Sequence, residues 1–206
     1  MPSPVYSIAL PGPLTLAYDL RYGILSGRGS LVWQPPLAGR YRIDLAGRAV
    51  GLLLLEWVSE GGVDAAGLAP WRFSEKRVGR AEQVAEFRRE AGRIHYPARP
   101  DRDTPLPAGA QDRLSWLIQL PAILRANPAL QAPGQSVAMF VSGARDAERW
   151  VFAVRARVDG LLHLQREALP GAGVAGEAWL SPGDALLPVR VRLAKDDDVL
   201  ELRLRG

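Results

Sequence analysis

Few side chains in these 206 residues are of the kinds that do chemistry. There are two histidines, His95 and His163, and no cysteine. Lack of cysteine excludes disulfides, thiolate nucleophiles and cysteine metal sites. By alternation each histidine falls on the polar face of a strand, beside Arg93 and Gln165 respectively, and reads as solvent-facing. A metal site would need the two strands adjacent and a third ligand. Ser115 lies in "RLSWL", not in a G-x-S-x-G elbow, so capping or helix-face hydrogen bonding is its expected role. "DRD" (Asp101–Asp103) and "KDDD" (Lys195–Asp198) lack the glycine and closing glutamate of an EF-hand loop and read as solvated turns. No catalytic motif, phosphate loop or metal cluster emerges. The expectation is a protein that is not an enzyme, with no cofactor and no metal.

Two polar pairs are more informative. Asp112–Arg113 heads a helix and Arg145–Asp146 heads a strand. A cap network is one reading, with Asp112 bonding helix amides and Arg145 bridging to Asp112; a plain surface pair is the other. The six tryptophans (Trp33, Trp57, Trp71, Trp116, Trp150, Trp179) fit core packing, or a hydrophobic cleft with indoles at its mouth.

The elements that must position these residues are mostly strands. "LTLAYDLRY" sets Leu14, Leu16, Tyr18, Leu20 and Tyr22 on one face. "YRIDL", "RWVFAVRARV", "PVRVRL" and "LELRLR" alternate in the same way. Strands with one apolar and one polar face belong to antiparallel sheets. Weaker candidates lie at 29–34, 50–59, 71–78, 83–88, 93–96, 136–141, 161–167 and 177–180. They are separated by turn-like pieces such as "SGRG", "PPLAG", "SEGG", "REAG" and "VDG". About a dozen antiparallel strands in one chain tend to curl into a barrel or half-barrel. A proline-rich loop is predicted over 97–110 and a flexible crossover at "ALPGAGVAGE".

One stretch breaks the alternation: "QDRLSWLIQLPAILRANP". A helix over about 112–127 is predicted, capped by Asp112 and stopped at Asn127–Pro128. Leu114, Trp116, Leu117, Ile118, Leu120, Ile123 and Leu124 sweep an arc of about 220°, far wider than the ~100° stripe of a surface helix. Such a helix must be wrapped on more than one side. Pro121 should kink or split it by removing the bond to the Leu117 carbonyl. The predicted fold is therefore one all-β domain, residues 1–206: a strongly curved antiparallel sheet, open or half-barrel, with one kinked helix in its concave face.

Composition narrows the partners. The chain is 48% hydrophobic, enough for one core. No apolar run approaches the roughly 18 to 20 residues of a membrane-spanning helix. The net charge is +4, and only Lys76 and Lys195 among the basic residues are lysines. The arginines are spread among the strands without a cluster or a base-stacking motif, so nucleic acid is not an expected partner.

Several motifs in order, "SEGGVDAAGLAPWRFSEKR", "AEFRREAGRIHY", "AGAQDRLSWLIQL", "RDAERWVFAV" and "WLSPGDALLPVRVRL", resemble the bacterial domain of unknown function 3108. The resemblance runs from about Tyr18 to Leu204, with "GLAP", "QDRLS" and "LPVRVRL" its most specific pieces. Members are mostly exported envelope proteins of Gram-negative bacteria. The resemblance thus implies a periplasmic protein whose leader or anchor has been removed. Its implied shape is similar to the half-barrel of the lipoprotein carriers.

Together these readings lead to a cell-envelope protein, expected to be monomeric, that binds a hydrophobic or acylated ligand, a lipid or lipoprotein, between sheet and helix. Trp57, Trp116, Leu120, Ile123, Trp150 and Phe152 would line the cleft. Arg113 and Arg145 would meet an anionic headgroup at its rim. The alternative is a structural or interaction module whose open sheet edge accepts an envelope protein partner.

Overall fold

A computed structural model describes residues 4–166, 173–183, 185–195 and 198–206. From the start of the chain, seven strands follow one another: β1 (Leu14–Tyr22), β2 (Leu25–Leu37), β3 (Arg40–Ala49), β4 (Leu52–Asp64), β5 (Gly67–Arg77), β6 (Gln83–Arg88) and β7 (Arg93–His95). Two short strands, β8 (Thr104–Pro105) and β9 (Gln111–Asp112), precede the helix α1 (Trp116–Ala126). Six strands complete the chain: β10 (Ser136–Ser142), β11 (Ala147–Val154), β12 (Leu162–Arg166), β13 (Ala175–Leu180), β14 (Pro188–Lys195) and β15 (Asp198–Leu204).

All 15 described strands form one sheet, in the order β8-β7-β6-β5-β4-β3-β2-β1-β15-β14-β13-β12-β11-β10-β9. Each strand is paired with its sequence neighbour except at the centre, where β1 pairs with β15. Pairing is antiparallel throughout, save two residues of β9 that run parallel to β10. The sheet exceeds the predicted dozen because β8 and β9 are two residues each and carry no alternation to read. β8 lies within the predicted proline-rich loop.

The two edges of the sheet, β8 and β9, are successive in sequence and are not paired with each other, so the barrel is broken rather than closed. Helix α1 occupies the interior. Every residue from Trp116 to Leu124 is buried, including Gln119. That is the physical meaning of the wide apolar arc: no side of the helix meets water. Gln119 fixes it to the sheet. Its amide oxygen accepts from the Leu68 N–H (2.9 Å) and its amide nitrogen donates to the Ala66 carbonyl (2.8 Å). Gln111 donates to the Leu68 carbonyl (2.8 Å). These two side chains satisfy the β5 backbone beyond its pairing with β6, as a neighbouring strand would. Residues 4–13 run past the helix: Ala9 N–H donates to the Ala122 carbonyl, and the Tyr6 hydroxyl accepts from the Ala138 N–H of β10.

Four details differ from the sequence reading. The helix begins at Trp116, not Asp112, because Gln111 and Asp112 are drawn into pairing with β10. It is not split: it runs through Pro121 as one element of 11 residues. "SEGG" is not a turn but lies inside β4, and "SGRG" lies inside β2. A Cβ on Gly61 would strike the Ala69 carbonyl and stand 2.7 Å from Pro70 Cα, at a bulge in the β4–β5 register. Glycine serves there for close backbone approach, not for turning. The bulge also expels Trp71, which is 42% exposed. The predicted crossover at 168–177, the end of the 161–167 strand and part of the acidic run 195–198 lie partly outside the described residues.

Candidate functional site

The interior is filled at its centre. Trp116 stacks on Phe152 with centroids 4.9 Å apart, and Trp150 meets both edge-on at 5.8 Å. Leu120 and Ile123 are buried on the same helix. Five of the expected cleft residues thus touch protein, not open space.

Filling stops at one end. The ends of β1, β5 and β14, the start of β15 and the β10–β11 turn surround a cavity of about 310 Å³. Buried Trp57, Leu193 and Leu200 form its apolar floor. Trp57 stands opposite Glu75 in the β4–β5 register. Alternation along β5 sends Phe73, Glu75 and Arg77 to one inward face. Phe73 packs edge-on against Trp57, centroids 6.1 Å apart. The next two inward positions are charged, which no core requires. Glu75 is only 4% exposed. Arg77 donates to the Tyr22 hydroxyl (2.8 Å) and to Asp198 (3.1 Å), and its other terminal nitrogen lies 3.5 Å from Glu75 Oε2.

Three polar atoms on this wall are buried and lack a hydrogen-bond partner among the described residues: Trp57 Nε1, Glu75 Oε2 and Arg77 Nε. Beside them a recess of about 20 Å³, bounded by Glu75, Arg77, Arg80, Gln83 and Arg145, has room for about one water. Gln83 Oε1 there is unpartnered too.

At the rim, Asp146 receives Arg113 (2.6 Å) and Lys195 (2.8 Å). Burial alone would raise Asp146; Arg113 and Lys195, with Arg145, outweigh it and hold the carboxyl below the ordinary range. The bridge read for Arg145 is therefore corrected. It does not reach Asp112, because the turn places Arg113 and Lys195 on Asp146 and leaves Arg145 exposed, with no hydrogen bond or ion pair among the described residues.

Asp112 does cap, though from outside the helix. Its Oδ1 accepts from the Leu114 and Ser115 N–H groups (2.8 and 2.7 Å), and Ser115 Oγ accepts from the Asp112 N–H (2.9 Å). Its Oδ2 accepts from the Ser59 hydroxyl, which also meets the Tyr41 hydroxyl. Ser115 thus has the hydrogen-bonding role expected of it. This network is buried and takes no part in that cavity.

Both histidines face outward, yet neither is open to solvent: their side chains are 17% and 15% exposed. His95 pairs with Asp103 and His163 with Glu177, each at 3.0 Å, and His163 stacks on Trp179 at 4.6 Å. Neither pair borders the cavity. A second groove, about 690 Å³, runs beside Pro35, Pro36, Leu37 and Trp71. It holds none of the unpartnered buried atoms.

The cavity therefore gathers three of the expected residues, Trp57, Arg113 and Arg145, and leaves the other five in the packed centre. Sequence reasoning missed Glu75, Arg77 and Lys195. The signal was present in "FSEKR", where the inward parity set by Phe73 falls on two charges.

Comparison with known proteins follows this geometry. The family described as Protein of unknown function (DUF3108) matches residues 16–161, and the chain belongs to that family. The match stops short of Leu204, where the motif resemblance ended. Among solved structures, the fold is similar to a beta-barrel-like protein of domain of unknown function DUF1849 from Brucella abortus, with TM-score 0.56 and 12% identity. That likeness covers 96% of this chain and 98% of the other. No curated protein matches.

Proposed function

We propose that the chain is a non-enzymatic binding module of the bacterial cell envelope, working in the periplasm, that holds a small amphiphilic ligand at the mouth of its broken barrel. One observation carries the reading: the barrel is packed at its centre and unfilled at one end, where an apolar floor and charged side chains border the same cavity. The apolar floor at Trp57, Leu193 and Leu200 suits the hydrophobic part of a lipid or lipoprotein fragment. Arg113, Arg145 and Lys195 suit a polar end. Trp116, Leu120, Ile123, Trp150 and Phe152 serve as the rigid backing of the site, because side chains occupy the space between sheet and helix. Location in the envelope is supported by the character of the family members the motifs resemble.

Strand addition by an envelope partner is less favoured. The β8 edge is two residues long and ends in proline, and Gln111 and Gln119 occupy the buried start of β5. The monomeric state goes with this reading.

The test is native mass spectrometry of protein purified from the periplasm, with extraction of any bound small molecule and titration of Trp fluorescence. A co-purifying ligand, lost when Trp57 is changed to Ala, is the expected result. Protein that carries nothing and gives no fluorescence response to fatty acids, lipopeptides or peptides would remove the proposal.

A further inference from the structure

Three turns beside the mouth carry side chains that neither turn chemistry nor packing requires. The β1–β2, β3–β4 and β5–β6 turns share one end of the sheet, because β1, β3 and β5 run the same way. It is the end at which Tyr22 and Arg77 border the cavity. Each turn sets a β-branched aliphatic residue next to a glycine of positive φ: Gly23 and Ile24, Val50 and Gly51, Val78 and Gly79. Tyr22 pairs with Leu25 and Ala49 with Leu52, so the first two are two-residue loops. Such loops favour asparagine, aspartate or serine beside the glycine. Here Ile24 is 93% exposed, and Leu52, just past the second loop, is 70% exposed. Val50 is completely exposed and stands at φ 47°, a region that a β-branched residue enters only with strain. Strain without a packing reason points to function. Two turns at the other end of the sheet show what the fold itself asks for: Ala38 with Gly39, and Asp159 with Gly160. Leu37 is the aliphatic of similar exposure there, and it flanks the separate groove beside Trp71.

The tips are neighbours, not scattered residues. β2 and β3 are in register at Arg28 and Arg48, and a Cβ on Gly27 would lie 3.2 Å from Ala49 Cβ. The Val78 N–H donates to the Leu54 carbonyl, two residues past Leu52. Ile24, Leu25, Val50, Leu52 and Val78 thus follow one another along adjoining strands.

Arginines accompany this row. Arg21 Nε donates to the Gly23 carbonyl (3.0 Å), and an Arg48 terminal nitrogen lies 3.5 Å from the Gly51 carbonyl, so each guanidinium is held at its tip. Arg80 follows Val78 by two positions. All three are exposed, and none has an ion pair among the described residues. The acids on the same strands are already answered: Glu56 stands opposite Lys76, Glu75 meets Arg77 and Glu82 meets Arg72. Asp196 and Asp197 belong in sequence to the β14–β15 connection, so the basic face is that of β1 to β6.

We propose that this rim docks the protein on the surface of an anionic phospholipid bilayer. Ile24, Val50 and Leu52 enter the boundary between headgroups and acyl chains, and Arg21, Arg48 and Arg80 meet lipid phosphates. A second copy of the chain would fit less well, since it would set arginine against arginine. Docking in this way turns the mouth of the barrel toward the membrane. The proposal does not depend on what the cavity holds.

The experiment is flotation of the full chain with vesicles of phosphatidylglycerol and phosphatidylcholine in equal parts, and with vesicles of phosphatidylcholine alone. The chain should float with the anionic vesicles and bind the neutral ones at least about tenfold more weakly. Ile24→Ser with Val50→Asn should weaken binding to the anionic vesicles by about tenfold. Val50→Asn gives the loop the residue its φ favours, so this variant should melt no lower than wild type. Arg21→Gln with Arg48→Gln should lower binding to anionic vesicles by about tenfold or more and leave binding to neutral ones unchanged. No flotation, equal binding to the two kinds of vesicle, or no effect of either variant overturns the proposal. So does a dimer, seen by light scattering, that Ile24→Ser with Val50→Asn breaks, because it assigns the row to a second copy. Each of these failures leaves the ligand-binding reading of the cavity to its own test.

Discussion

The Ser59 hydroxyl lies 2.6 Å from Asp112 Oδ2, joining the middle of β4 to the start of the helix segment across 53 positions of sequence. The other oxygen of that carboxylate holds the Leu114 and Ser115 amides. One buried side chain therefore sets both where the helix begins and how it is seated against the sheet.

Removing that acceptor should be costly. Asp112→Ala leaves two buried amides and the Ser59 hydroxyl without their partner and should lower stability by on the order of 3 kcal/mol. Asp112→Asn keeps the Oδ1 contacts and should lose less. Urea denaturation of the three proteins orders them: wild type, then Asn, then Ala below both.

The same group gives stability a pH dependence of unusual sign. Burial raises the Asp112 carboxyl from 3.8 to about 6, against the opposing bonds from Ser59, Ser115 and Leu114. The folded state then binds the proton more tightly than the unfolded chain. This contribution is fully present below about pH 4 and is lost as pH rises through about 6. Asp146 and Glu201, both held low, act oppositely and lose stabilisation in acid. Subtracting the pH profile of Asp112→Asn from that of wild type isolates the Asp112 part. The difference should turn toward wild type on acidification across that window, and a flat difference would contradict the assignment.

Trp116 of the helix is 1% exposed and stacked on Phe152 of the sheet. Trp116→Ala should cost about 3–5 kcal/mol. An unchanged melting temperature would show that the helix does not anchor the barrel.

Gly61 tests the reading of mid-strand glycines. A methyl group there meets the Ala69 carbonyl, Pro70 Cα and the Tyr41 ring. Gly61→Ala should destabilise by about 1–3 kcal/mol through overpacking. Gly12→Ala, which meets nothing within 4 Å, should be close to neutral by the same thermal melt.

Much of the fold could be read directly. Tyr18, Leu20, Ile43, Leu45, Phe152, Val191 and Leu202, assigned to core faces by alternation, are buried. The arc of α1 foretold burial on more than one side, and the structure buries its narrow polar face as well. Glycine was ambiguous, since "SEGG" and "SGRG" have turn composition and only the neighbouring strand reveals a bulge or a close approach. Asp112 was readable as a cap, but its pull into β9 depends on β10, about 30 residues later. The mouth was least legible. Tyr22, Trp57, Glu75, Arg113, Lys195 and Leu200 come together only because the sheet curls, and no local period encodes that. Within β5 alone the break was visible, as two charges continuing the Phe73 face.

The seam between β1 and β15 has a consequence for the order of assembly. Every other strand finds its partners among its neighbours in sequence, so each arm of the sheet can zip up from local hairpins as it leaves the ribosome. β1 cannot be covered on its second side until the last strand, β15, has been made. Tyr18 and Leu20, opposite Leu204 and Leu202 in the finished sheet, must wait through synthesis of nearly the whole chain. Long-range closure of this kind is slow, and an unpaired apolar edge is a site for wrong pairing while it lasts. The seam is therefore the step at which a nascent chain is most exposed to aggregation, and the place where a holding chaperone would do the most good.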